Sequence, residues 1–169
     1  MTGAELLVDA FDRIKGIVHR AADGLDGPQL GMRLDADANS IGWLIWHLTR
    51  IQDDHIAVVA GTAEVYASGQ WWEQLGRPYG IADDGYGHSS EDVASLQLES
   101  PQLLLEYHDE VHRSTVGFVT GLGDEDFNRV VDTNWNPPVT LGVRLISVIA
   151  DGLQHAGQAA FVRGVIERR

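Results

Sequence analysis

Asp151 and His155 stand four residues apart in a stretch of helical periodicity, so both project from one helix face and can share a metal ion. The segment around them, Val148-Ile-Ala-Asp-Gly-Leu-Gln-His-Ala-Gly-Gln-Ala-Ala, is otherwise small and apolar. Both residues therefore border a buried stripe, where a charged group needs a partner. A second pair at the same spacing is His108 and His112. Its string His-Asp-Glu-Val-His is not the zinc-protease motif, because the glutamate does not directly follow the first histidine. One of these two can be a hydrogen-bonded core histidine, or one can add a ligand or orient one. A third source is the segment after Asn39-Ser40, with His47 and His55. On a helical wheel His55 falls near the centre of the apolar stripe and His47 at its edge beside Asp54, and periodicity does not choose between them.

Other side chains suggest substrate contacts. Arg163 falls among Gly152, Ala156, Ala159 and Ala160 on its helix wheel. It either pairs with a buried carboxylate or faces a cavity that takes an anionic group. The stretch from Trp71 and Trp72 to Tyr86 could close over a pocket or simply pin a long loop, and His88 stands at its end.

These residues need helices to position them. Leu6, Leu7, Ala10, Phe11, Ile14, Ile17 and Val18 predict a first helix, ending in the Gly24–Pro28 region. A second, capped by Asn39 or Ser40, carries Ile41, Leu44, Ile45, Leu48, Ile51, Val58 and Val59 to about Gly61. Residues 61–88 read as a long loop, followed by a short turn capped by Ser89 or Ser90. Ser100-Pro101 opens a third helix running to about Thr120, and Thr140 caps a fourth. No alternating strand pattern of useful length is present. The expectation is one all-α domain over residues 1–169, a four-helix bundle with a long loop between its second and third helices.

Composition narrows the chemistry. At 44% hydrophobic and 22% charged, the 169-residue chain is ordinary globular material with room for a substantial core. It contains no cysteine, so only histidine and carboxylate ligands remain, and any thiol chemistry must use an external thiol. A formal charge of -13 disfavours nucleic-acid and anionic-membrane partners. No run approaches the ~18 apolar residues of a membrane span. The first residues, Met-Thr-Gly-Ala-Glu, lack a signal-peptide n-region, so the expected location is cytoplasmic.

Trp43-Leu-Ile-Trp-His-Leu-Thr-Arg and Asp151-Gly-Leu-Gln-His-Ala-Gly-Gln resemble the two signature segments of the DinB-like superfamily. The resemblance implies a divalent metal held by His47 from the second helix and by Asp151 and His155 from the fourth. The family usually has histidine at the first of the latter two positions. Asp151 is similar to the carboxylate variant of mycothiol-dependent maleylpyruvate isomerases, and being shorter than glutamate it has less reach. Asp84-Gly-Tyr-Gly-His and Asn136-Pro-Pro-Val-Thr-Leu-Gly-Val-Arg also resemble an actinobacterial subgroup, so the likeness spans nearly the whole chain.

What the resemblance implies is a metal-dependent S-transferase joining a low-molecular-weight thiol, mycothiol foremost, to a small electrophile. Zinc is the first expectation for the metal, with nickel, iron or manganese equally suited by ligand type. His108, His112 or His88 would act as base or orient the thiol, and Arg163, Trp72 and Tyr86 would contact substrate. Two other readings use the same site: a metal-dependent hydrolase, and a non-enzymatic metal-binding stress or partner-binding bundle. A homodimer is the expected assembly, as the commonest symmetric oligomer.

Overall fold

In the computed structural model, which describes residues 1–76 and 78–168, the periodic residues Leu7, Phe11, Ile14 and Val18 form the buried face of α1 (Gly3–Ala22). Thr2 and Glu5 cap it reciprocally, each side chain accepting from the other's backbone N–H. A single turn, α2 (Gly27–Leu30), follows in the crossing to α3 (Ile41–Ala60). The Ser40 hydroxyl caps α3 by accepting from the Trp43 N–H, and Gly61 ends it at φ 68°, a conformation suited to glycine.

Two further single turns, α4 (Val65–Ser68) and α5 (Trp71–Gln74), occupy part of the stretch expected to be a loop. They are followed by α6 (Ser90–Ser95), capped by Ser89, and by α7 (Gln102–Thr120). Pro101 takes the cap position of α7 in place of Ser100, a one-residue shift that follows from the helical φ a proline already holds. A 3₁₀ turn at Asp124–Asn128 leads to a small antiparallel ladder of β1 (Val130–Asp132) and β2 (Val139–Thr140). These strands are too short to leave an alternating pattern in the sequence. Thr140 caps the last and longest helix, α8 (Leu141–Ile166).

The fold is all-α apart from that ladder. The long helices α1 and α3 each pack against both α7 and α8, and one apolar cluster runs between them. Gly152 lets α8 approach α1 closely, since a Cβ there would lie 3.1 Å from the Ile14 side chain. Among residues 41–53 of α3, only Ile51 keeps partial exposure. A helix covered on all sides has no outer face, which is why wheel position could not rank its histidines.

Buried polar groups on α3 hold the 61–88 stretch in place. The Asp53 carboxylate accepts from the Val65 and Tyr66 N–H groups at 2.8 and 2.7 Å and from the Tyr107 hydroxyl at 2.9 Å. Arg50 donates to the Asp83 carbonyl at 3.0 Å and to Glu64 at 2.7 Å. The indoles of Trp71 and Trp72 donate to Glu110 and to the Tyr79 carbonyl. Buried charges satisfied this fully bind loop and helix into one framework. Among the described residues no helix is long and apolar enough to cross a membrane.

Candidate metal centre

α3 and α8 pack side by side, and their shared seam brings His47 to Asp151 and His155. One donor atom from each of the three lies within 4.8 Å of the others, the one such cluster among the described residues. His47 is buried, while Asp151 and His155 are half-buried, so the cluster opens toward solvent on its α8 side.

The hydrogen bonds around the cluster set its protons. His47 Nδ1 sits 2.5 Å from the Asp84 carbonyl oxygen, which can only accept. Nδ1 therefore carries the hydrogen and Nε2 the lone pair. His155 repeats the arrangement with Gln158, whose Oε1 accepts from Nδ1 at 2.9 Å. His155 Nε2 lies 3.5 Å from Asp151 Oδ1. The other oxygen, Asp151 Oδ2, is buried without a hydrogen-bond partner. A buried carboxylate oxygen left bare is costly, and a cation held between it and two imidazole lone pairs would remove that cost. The donor set, two imidazoles and a carboxylate, thus fits a divalent metal.

Charge and burial pull the two histidines apart. Burial pushes the His47 pKa below the ordinary histidine value, opposed by the Asp84 carbonyl and reinforced by His155 nearby. The hydrogen bond to Asp151 raises that of His155, against a smaller effect of burial. His47 is kept in the neutral form that could coordinate a metal, whereas a cation at His155 would have to displace a favoured proton.

The loop over the site depends on Gly85. Its φ is 90°, and a Cβ there would fall 2.9 Å from both His47 Nδ1 and the Trp46 ring. Only glycine permits that backbone to pass so close, and the close pass is what delivers the Asp84 carbonyl to His47. His88 closes the loop with both nitrogens engaged. Nδ1 accepts from the Trp43 indole at 3.1 Å, and Nε2 donates to Asp83 at 3.0 Å. Trp43 in turn stacks on His47, with ring centroids 4.8 Å apart.

The remaining sequence candidates lie outside the three-donor cluster. His108 is fully buried, its Nδ1 3.0 Å from the Thr49 hydroxyl, and burial drives its pKa down to about 3. His112 Nε2 meets Asp12 of α1 at 2.9 Å, and burial lowers its pKa too. His55 is half-exposed beside Asp54. Arg163 donates to the Arg20 and Asp23 carbonyls at 2.8 and 2.7 Å and to Glu167, clamping the end of α1 to α8. Trp72 packs within the 61–88 stretch, and the Tyr86 side chain is 90% exposed. Sequence reasoning did not single out Asp84, Gly85 and Gln158 as supports of the site. Only Gln158, one helical turn beyond His155, carried a spacing signal.

An all-α fold whose α3 and α8 supply this histidine–aspartate–histidine set defines a protein of the DinB-like class. More narrowly, the chain belongs to the mycothiol S-transferase family, whose model matches residues 6–168. It is also similar to the crystal structure of a conserved protein from Enterococcus faecalis, with a TM-score of 0.90 and 27% identity. That likeness covers 100% of this chain and 99% of the other. No curated protein matches the chain.

Proposed function

We propose that the protein is a metal-dependent S-transferase that joins mycothiol to a small electrophile at the His47–Asp151–His155 centre. The observation that carries this reading is the convergence of three donors, with the His47 ring oriented by the Asp84 carbonyl and the His155 ring by Gln158. Membership of the mycothiol S-transferase family supports the choice of thiol, and the absence of cysteine means the sulfur must arrive with a co-substrate.

Zinc is the metal we assign, held by Nε2 of His47, Nε2 of His155 and the Asp151 carboxylate. A bound divalent cation supplies positive charge that lowers the pKa of a coordinating thiol from about 8.5 to below neutrality. The protein's own part is positioning. Buried His47, stacked on Trp43 and tied to Asp84, fixes the inner wall of the site, while half-buried His155 and Asp151 leave the outer side open to both substrates. His88 serves this centre through Trp43 and Asp83 as a positioning residue. In this reading His108 and His112 support the packing of α7, and Arg163 the α1–α8 clamp.

The test is conjugation of mycothiol to monobromobimane by zinc-loaded protein, followed against the uncatalysed coupling. The expected result is acceleration that requires both metal and thiol and is lost in His155→Ala. No acceleration with mycothiol, bacillithiol or glutathione would overturn the proposal.

A further inference from the structure

A groove of about 530 Å³ continues the seam between α3 and α8 beyond the candidate metal centre. Leu44, three residues before His47 on α3, and Gln158, three after His155 on α8, both line it. Gln158 is shared between groove and centre. Its Oε1 accepts from His155 Nδ1 at 2.9 Å, so the groove begins one imidazole's width from the three donors. Two other grooves of similar size lie against α1, with Glu5 and Asp124 on one and Asp9, Asp12, Arg13 and Arg20 on the other. Neither is lined by a donor residue or by one bonded to a donor.

The walls beside Gln158 are apolar: Leu34, Leu44, Val162 and the 64% exposed ring of Phe161. Gly157 leaves space among them, since a Cβ there would meet no atom within 4 Å. The polar lining is Asp37, Asn39 and Gln158, and no basic residue joins it. The two arginines nearest in sequence are spent elsewhere. Arg33 donates to the Ala36, Ala38 and Ser90 carbonyls, and Arg163 to those of Arg20 and Asp23. A carboxylate entering this groove would lose water and meet Asp37 where it needs a cation. An uncharged ring would instead exchange water for apolar contact with both helices.

We propose that this groove holds the non-reacting body of the electrophile and selects uncharged aromatic electrophiles over anionic ones. For the reaction that follows binding, the proposal rests on the S-transferase reading. With an aryl chloride, the thiolate sulfur attacks the carbon that bears chlorine. A C–S bond forms and the C–Cl bond breaks, chloride leaves with the electron pair, and the thiol proton passes to water. Leu44, Gly157 and Phe161 touch the part of the molecule that does not react, so they set the KM and the choice of electrophile.

The first experiment gives zinc-loaded, full-length protein and mycothiol two aryl chlorides, neutral chlorodinitrobenzene and anionic chlorodinitrobenzoate, each rate being divided by that of the uncatalysed coupling. The neutral compound is expected to be favoured at least about 10-fold in kcat/KM. Gly157→Leu puts a side chain into open space on a helix, so the fold is expected to survive while the groove fills. Its KM for chlorodinitrobenzene is expected to rise about 10-fold, with zinc affinity and the KM for mycothiol unchanged.

A second readout needs no turnover. Dinitrobenzene, which lacks the leaving group, is added to the protein with zinc and without it, and amide resonances are followed by NMR. Shifts are expected at Leu34, Leu44, Gly157 and Phe161, to be lost in Gly157→Leu, and to be absent with dinitrobenzoate. Equal use of the two chlorides, an unchanged KM in Gly157→Leu, or shifts centred elsewhere would each overturn the proposal. Failure of every thiol to couple, alongside shifts in the groove, would remove the S-transferase reading and leave the groove's selectivity standing. Coupling without those shifts would do the reverse.

Discussion

Asp151 and His155 on α8, and His108 and His112 on α7, share a four-residue spacing, and each pair holds buried polar atoms without a hydrogen-bond partner. On α8 the bare atom is Asp151 Oδ2; on α7 they are His108 Nε2 and His112 Nδ1. The pairs diverge in what faces them. His47 comes across from α3 to complete the first, with its ring held by Asp84. The second is met by a Thr49 hydroxyl and by Asp12, each bonded to one histidine alone. Among the described residues no third donor joins His108 and His112. A spacing of four makes two side chains neighbours, but a third donor from another helix makes them a site.

The strongest way to break that contrast is to remove one histidine from each pair. His155→Ala is expected to lower divalent-cation affinity by more than about 100-fold, beyond the effect of losing an orienting group. His112→Ala is expected to leave the bound-metal ratio unchanged. Titration calorimetry with zinc and elemental analysis of the purified variants measure both. A His112→Ala protein stripped of metal would place α7 in the centre.

The α7 pair shows itself in acid instead. Burial holds the folded-state pKa of His108 at about 3, far below the ordinary histidine value, so the unfolded chain binds the proton more readily. The stability carried by neutral His108 is complete above about pH 6.5 and is lost progressively as pH falls toward 3. Between pH 7.5 and 5 the wild type should lose about 2 kcal/mol that His108→Leu does not. Urea unfolding at the two pH values gives the difference, and parallel losses would show that His108 is not the titrating group.

How far this contrast was legible in the sequence depended on what surrounds each helix. α8 announced its candidate ligands because Asp151 and His155 interrupt a run of small apolar residues, and the helix ends at Thr120 and Thr140 were marked by Gly121 and a threonine cap. The choice of His47 over His55 came from resemblance alone, since α3 is buried nearly all round and its wheel carries no directional signal. Asp84 acts through a backbone carbonyl, and Gly85 through the absence of a side chain. Neither is a chemical type that a search for ligands or bases selects. Likewise α4 and α5 are single turns held by Asp53 and the Trp71 and Trp72 indoles, contacts that no local periodicity records.

A smaller effect sharpens the role of the orienting groups. Gln158→Ala leaves all three proposed ligands in place but frees the His155 ring, and metal affinity is expected to fall about 10-fold. Gln158→Glu, which keeps the acceptor, should retain most of it. Loss equal to that of His155→Ala would mean that Gln158 itself binds the cation, and calorimetry separates the two outcomes.

The smallest expected effect concerns Arg163, whose helix also carries two of the candidate metal ligands. Its guanidinium spends its donors on the Arg20 and Asp23 carbonyls and on Glu167. Arg163→Gln should therefore cost about 1–2 kcal/mol of stability, the range for hydrogen bonds from a partly exposed charged donor. Thermal unfolding reads that loss, while zinc affinity and the KM for thiol should stay at wild-type values. A raised KM with an unchanged Tm would reverse the assignment and put the guanidinium in contact with a substrate anion, because a clamp between helices cannot weaken binding without loosening the fold.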